Sequence, residues 1–370
     1  MKFSISTSFY RRNHLVETLY KQILDQTHTD WEWIVTDDFS DYGNAKEQLL
    51  EICSKDSRVK YYEQSRKKEC FYNPQRGTTG DIVIQLDSDD YAYPKTLEVY
   101  NHLFLKHPEV VGMCSLCDSR TPEGDFIEIQ GAGGYVIGQH STFNLTPMAR
   151  AWRNIIYSFD EGEMDYFQND TNIVRHCENL GKWLWLPRTF YQYYYSHDTF
   201  SRLPGRSDEE FNKIEKERQY IENKFPHLHD ENKCSLSLYY QPIYNLARDF
   251  SLAEFNKANT RKKLLYVKEG LKPSERSLLK ELFFDHDLYF DYKLNIKFDE
   301  IFISLSGDII DYIDEINNTL RLHNIGTPTK LRYHKSTDYN MPDVHKIINQ
   351  TFGNNGWHTS GFEIFFITAI

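Results

Sequence analysis

The chain has 370 residues, of which 40% are hydrophobic and 26% charged, with a formal net charge of −11. That length suits two domains of roughly 100–200 residues, and the composition describes a soluble globular protein. The acidic balance argues against nucleic acid as a partner and against an electrostatic hold on anionic membranes. No apolar run reaches the roughly 18 residues of a membrane-spanning helix, so no transmembrane segment is expected. The start, Met1-Lys-Phe-Ser-Ile-Ser-Thr7-Ser8, is too short and polar for a signal peptide and reads as a first strand. Among the 6 cysteines only Cys114-Ser-Leu-Cys117 has ligand-like spacing. No second pair accompanies it, and its apolar setting marks packed thiols of a reduced, cytoplasmic protein.

Phe3 to Ser8 alternates as a strand, and after Asn13, a good N-cap type, Leu15, Val16, Leu19, Tyr20, Ile23 and Leu24 recur at helical spacing. Trp31 to Thr36 is a second strand, ending at Asp37-Asp38-Phe39-Ser40-Asp41. Ala45, Leu49, Ile52 and Cys53 mark a helix, and Val59 to Tyr62 a strand. Next, Asp81-Ile-Val-Ile-Gln-Leu-Asp87-Ser-Asp89-Asp90 reads as a buried strand ending in three carboxylates within four positions. Pro94 opens a helix with Leu97, Tyr100, Leu103 and Phe104 on one face. This alternation predicts an α/β fold, Rossmann-like, with a mostly parallel sheet and flanking helices. Ligands of such sheets bind at the carboxyl ends of strands, the edge that Asp37, Asp38, Asp87, Asp89 and Asp90 would share. Three acids so close repel one another unless a cation sits among them, and oxygen donors suit Mg²⁺ or Mn²⁺. A simple polar turn is the competing reading.

Val110 to Cys114 reads as a strand, Thr121 to Gly124 as a turn, and Thr146-Pro147 as the opening of a helix through Arg150-Ala-Trp152-Arg153. Ile173, Val174, Cys177 and Leu180 form a helical face closed by Gly181, with Asp170 at the helix N-terminus. Strands Trp183 to Leu186 and Phe190 to Tyr195 precede His197, and Leu203-Pro-Gly-Arg206 reads as a boundary. Residues 206–290 read as a helical extension, including a helix after Pro273. Residues 291–370 read as a small α/β unit with strands Glu300 to Leu305, Lys330 to His334 and Phe362 to Thr368.

Three segments together resemble the family 2 glycosyltransferases of the GT-A fold. They are Ile5-Ser-Thr7-Ser8-Phe-Tyr, Leu24 to Asp41 with its Gln26-Thr27 and Asp37-Asp38-Phe-Ser, and Gly80 to Asp90. The likeness covers roughly residues 1–205 in order and spacing. It implies transfer of a sugar from a nucleoside-diphosphate sugar, of UDP type, to a hydroxyl of a glycan or a lipid-linked or protein-linked acceptor. The family's polysaccharide-building members do so with inversion and Mn²⁺ or Mg²⁺. By the resemblance Thr7 and Asp38 meet the base and ribose, Asp89 the ribose or the metal, and Asp90 is the principal metal ligand with Asp87 behind it. Arg76, in the loop from Asn73 to Gly80, faces the diphosphate, as Arg66 to Lys68 or Arg153 could. Asp170 is the catalytic base, with Asp165 the fallback, and His197 lies beside the diphosphate or metal. The sequence departs from the family at Phe39, Asn169 and Tyr195. Capping or turn roles for Asp38 and Asp170 are the plain alternatives. A non-catalytic nucleotide-sugar binder and a glycoside hydrolase stay open as functions, the latter leaving Asp38 without a role. A nucleotidyltransferase lacks its Gly-rich loop here.

Overall fold

The computed structural model describes residues 1–9, 12–37, 44–63, 77–130, 150–154, 180–194, 223, 236–237, 239–243, 247, 263–268, 271–290, 300–304, 329–334 and 364–369. The chain divides into two compact units, Met1–Gln241 and Pro242–Ile370. No helix among the described residues is long and apolar enough to cross a membrane.

The first unit is a mixed α/β sheet. It contains β1 (Phe3–Phe9), α1 (Val16–Leu24), β2 (Trp31–Asp37), α2 (Ala45–Lys55), β3 (Val59–Glu63), β4 (Ile82–Gln85), β5 (Tyr91–Ala92) and α3 (Thr96–Lys106). It continues with β6 (Val110–Arg120), β7 (Phe126–Gln130), β8 (Ala151–Arg153), β9 (Lys182–Tyr194) and β10 (Leu236–Ser237). The strands lie in the order β10-β9-β6-β8-β4-β1-β2-β3, with β5 beside β9 and β7 beside β6. β1 pairs in parallel with β2 and β4, and β2 with β3, as the alternation of strands and helices predicts. All four therefore point their carboxyl ends to one edge.

β1 is buried on both faces. Its polar residues find partners inside: Trp33 Nε1 donates to Thr7 Oγ1 at 2.9 Å, and Ser4 Oγ donates to Glu32 at 2.6 Å. Glu32, only 2% exposed, also accepts from Lys2 Nζ at 2.8 Å, Lys60 Nζ at 2.9 Å and Thr79 Oγ1 at 2.8 Å. The Thr79 amide completes this knot, which ties β1, β2, β3 and the entrance to β4 together. Despite burial, the five donors hold the Glu32 carboxyl far below the usual carboxylate range. Gly80 allows the approach, since a Cβ there would lie 2.7 Å from Ser4 N and 2.8 Å from Lys2 O.

Several local readings change. Asn13 makes no side-chain cap but begins a 3₁₀ turn, Asn13–Leu15, that feeds α1. The segment around Trp152 forms strand β8 at Ala151–Arg153, not a helix, because antiparallel pairing to both β4 and β6 encloses Trp152 completely. Arg153 is not aimed at a phosphate. Its guanidinium donates to Phe104 O at 2.9 Å and Val110 O at 2.8 Å, closing the C-terminal end of α3. Residues 183–186 and 190–194 join in one strand, β9, because the register against β6 shifts where Pro187 and Arg188 fall, between Leu186 and Thr189. A bulge there accommodates a residue with no N–H for the ladder.

In the second unit, β11 (Lys263–Lys268), α4 (Pro273–Leu282), β12 (Asp287–Tyr289), β13 (Glu300–Ser304), β14 (Thr329–His334) and β15 (Ile364–Ala369) form a sheet ordered β12-β11-β13-β14-β15. Only β15 runs antiparallel. The helix after Pro273 and the three later strands stand where expected. The stretch read as wholly helical instead supplies β11 and β12. Lys-Leu-Leu-Tyr-Val-Lys at 263–268 is a short apolar run that periodicity cannot assign, and its parallel neighbours on both sides fix it as a strand.

Candidate active site

The acidic turn lies where β4 ends. Leu86 N–H bonds to Ser6 O, so the chain follows β1 to the sheet edge, and Asp90 N–H then returns to Asp87 O at 3.3 Å in a four-residue turn. The turn presents Asp87, Asp89 and Asp90 from one short loop. Each is held differently.

Asp90 is 6% exposed, and its Oδ1 accepts the Tyr194 amide at 3.0 Å. Beside this carboxyl stands Tyr191, which is 1% exposed and whose hydroxyl accepts the Asp87 amide at 3.0 Å. Oδ2 of Asp90 is buried and meets no hydrogen-bond donor among the described residues. Burial first, then the charges of Asp87 and Asp89, push this carboxyl well above its ordinary range. Asp89 is ion-paired to Arg12 at 3.1 Å, and Asp87 Oδ1 accepts Gln85 Nε2 at 3.2 Å.

Helix α1 braces the turn from below. Gln22 Nε2 donates to Asp90 O at 3.0 Å while Gln22 Oε1 accepts the Ala92 amide at 2.9 Å. One helical turn later, Gln26 Nε2 donates to Tyr93 O at 2.9 Å. These amides satisfy backbone groups that a buried turn would otherwise strand.

Of the residues expected at the site, the structure brings Asp87, Asp89 and Asp90 together on one edge. Thr7 lies inside β1 with its hydroxyl engaged by the Trp33 indole. Asp37 ends β2 on the same edge as the acids, buried and accepting the Tyr61 hydroxyl at 3.0 Å. Asp38, Asp41, Arg66 to Lys68, Arg76, Asp165, Asp170 and His197 lie outside the described residues. Arg12, Gln22, Tyr191 and Tyr194 were not anticipated. Gln22 had a signal, being a polar residue on the apolar face that Leu19 and Ile23 define. Tyr191 and Tyr194 had none, for only the pairing of β5 with β9 brings them to the turn.

A divalent cation fits this chemistry. A buried carboxylate oxygen without a donor, beside two further acids, is costly unless a proton or a metal neutralises it. Among the described residues no three His, Cys, Asp or Glu groups close into a complete ligand set. A cation held here would need further oxygen donors, such as substrate phosphates supply.

Residues 4–156 match the family model described as glycosyl transferase family 2. An uncharacterized glycosyltransferase of Rickettsia conorii is 29% identical over 100 residues, 26% of this chain, and the chain spans only 16% of that relative's length. Among solved structures, S. aureus TarS in complex with UDP-GlcNAc is similar at 17% identity and a TM-score of 0.46, covering 69% of this chain and 82% of that one. A mannosyltransferase from Pyrobaculum calidifontis in complex with GDP-Man and Mn²⁺ matches at 13% identity and a TM-score of 0.39, covering 77% and 85%. The sheet itself is mixed, parallel from β3 to β4 and then interrupted by antiparallel β8. The stretch that matches glycosyl transferase family 2, residues 4–156, includes the acidic turn at the end of β4.

Proposed function

We propose that the chain transfers a sugar from a nucleoside-diphosphate sugar, of UDP type, to a hydroxyl of a glycan or of a lipid-linked or protein-linked acceptor. The observation that carries this is the buried, donor-less Asp90 Oδ2 at the carboxyl edge of a family 2 domain. Asp90 and Asp89 would hold Mn²⁺ or Mg²⁺, with His197 beside it, and the ion when bound offsets charge on a departing diphosphate. Arg12, now on Asp89, brings positive charge to this edge, and Arg76 is proposed to meet the diphosphate. Asp38 follows the buried end of β2 and accepts the imide proton of a uracil base, and Thr7 supports the strand beside it.

In this reading Asp170 removes the proton of the acceptor hydroxyl, which attacks the anomeric carbon in line and inverts it. Such general-base help is worth roughly 10²–10⁴ in rate. A panel of nucleotide sugars with Mn²⁺ or Mg²⁺, scored for nucleoside-diphosphate release, tests the proposal. Release from a UDP-sugar that requires the metal and is lost in Asp90→Asn is expected. Metal-independent sugar release with no nucleotide effect would point to hydrolysis instead. Saturable nucleotide binding without turnover on any acceptor would mark a binder.

A further inference from the structure

Strand β9 reaches the acidic turn from about a hundred residues away in sequence and supplies two contacts that the turn itself cannot make. Tyr191 is almost wholly enclosed, so its hydroxyl must spend both of its hydrogen-bonding directions inside the protein. It accepts the Asp87 amide at 3.0 Å, beside the Asp90 carboxylate. The Tyr194 amide, three residues further on, donates to Asp90 Oδ1 at 3.0 Å. Together they fix both ends of the Asp87–Asp90 turn and leave Oδ2 as the Asp90 oxygen without a donor.

We propose that Tyr191 is a positioning residue that sets the acidic turn so that one oxygen of Asp90 is kept for a divalent cation. The proposal rests on the metal reading above. Without the hydroxyl, the Asp87 amide loses its acceptor, and the turn that carries Asp90 is held at its Asp90 end alone, by the Tyr194 amide. Groups that orient metal ligands from behind typically matter by about 10–100-fold in metal affinity. Nothing in the apolar alternation of β9 requires a hydroxyl at this position; Phe190, its neighbour, is buried without one.

The test compares Tyr191→Phe with Tyr93→Phe. Tyr93 is also buried, and its hydroxyl donates to Asp118 at 2.8 Å rather than meeting the Asp87–Asp90 turn. Mn²⁺ is titrated into each protein, alone and with UDP, and free ion is followed by electron paramagnetic resonance; thermal melting is recorded alongside. Tyr191→Phe is expected to weaken Mn²⁺ binding about 10-fold or more. Tyr93→Phe should lose comparable thermal stability and keep its Mn²⁺ affinity, and raising Mn²⁺ should restore nucleoside-diphosphate release to Tyr191→Phe. Unchanged Mn²⁺ affinity in Tyr191→Phe, with the unaltered protein binding the ion, overturns this proposal alone. An equal loss in both variants assigns the effect to stability and overturns it too. Failure of the unaltered protein to bind Mn²⁺ overturns the metal reading and this proposal with it.

Discussion

Glu32→Gln would test whether the knot under the sheet, rather than packing alone, holds β1, β2, β3 and the entrance to β4 in register. Glutamine keeps the shape and one oxygen, so Ser4 and the Thr79 amide can still donate. It places an NH₂ group against Lys2, Lys60 and the Thr79 hydroxyl, where a carboxylate oxygen had accepted all three. The two lysines are about one-third exposed, at 36% and 34%, and can turn to water, so each lost ion pair counts about 0.5–1 kcal/mol. The Thr79 hydroxyl can turn to the remaining oxygen at 3.0 Å, so the further cost is that of buried bonds once made to a charged acceptor and now made to a neutral one, about 1–2 kcal/mol. The sum is about 3 kcal/mol, or a fall of about 6–12 °C in the melting temperature of a unit this size. The sign with pH follows from the lowered Glu32 pKa: its contribution is complete above the unfolded value of about 4.3 and is lost as pH falls toward the folded value. Calorimetric melts from pH 7 down to pH 3 should therefore show a gap between the two proteins that is widest near neutrality and narrows in acid. A Glu32→Gln protein melting within about 2 °C of the parent at pH 7, or a gap that widens in acid, would refute the reasoning.

Asp90→Asn should abolish metal-dependent nucleoside-diphosphate release while raising the melting temperature of the metal-free protein, since it removes a buried carboxyl whose Oδ2 has no donor; parallel activity and melting measurements check both. Gly80→Ala should destabilise by about 1–3 kcal/mol in denaturant unfolding, because its Cβ would lie 2.7 Å from a backbone nitrogen that cannot turn aside. Asp170→Ala should lower transfer by roughly 10²–10⁴ with nucleotide binding retained, read by turnover and calorimetric titration.

The parallel half of the first sheet was legible because its strands read as alternating or apolar runs and each helix carries one apolar face. The acids at 87, 89 and 90 were legible for the same reason, since a buried strand that ends in charge must end at an edge. What escaped was set by partners distant in sequence. Ala151–Arg153 reads as helix locally and becomes strand only between β4 and β6. Arg153 looks like a phosphate ligand until the end of α3 takes its donors. Tyr191 is one tyrosine in a Tyr-rich run, and its bond to the Asp87 amide follows from the side-by-side placement of β5 and β9. In the second unit, α4 was found by its Pro273 start, whereas β11 lacks any pattern that separates strand from buried helix.

The placement of β8 has a consequence for how the protein is made. Among the described strands it is the three-residue piece between β4 and β6, yet it follows both in the chain by more than thirty residues. While the chain is being synthesised, β4 and β6 emerge first, each with an unsatisfied edge facing a gap that nothing yet fills. Such edges are templates for pairing with other chains. A nascent or truncated chain ending near residue 150 should therefore aggregate, and release of residues 151–153 should mark the point at which the β1–β4 side of the sheet is joined to the β6–β9 side.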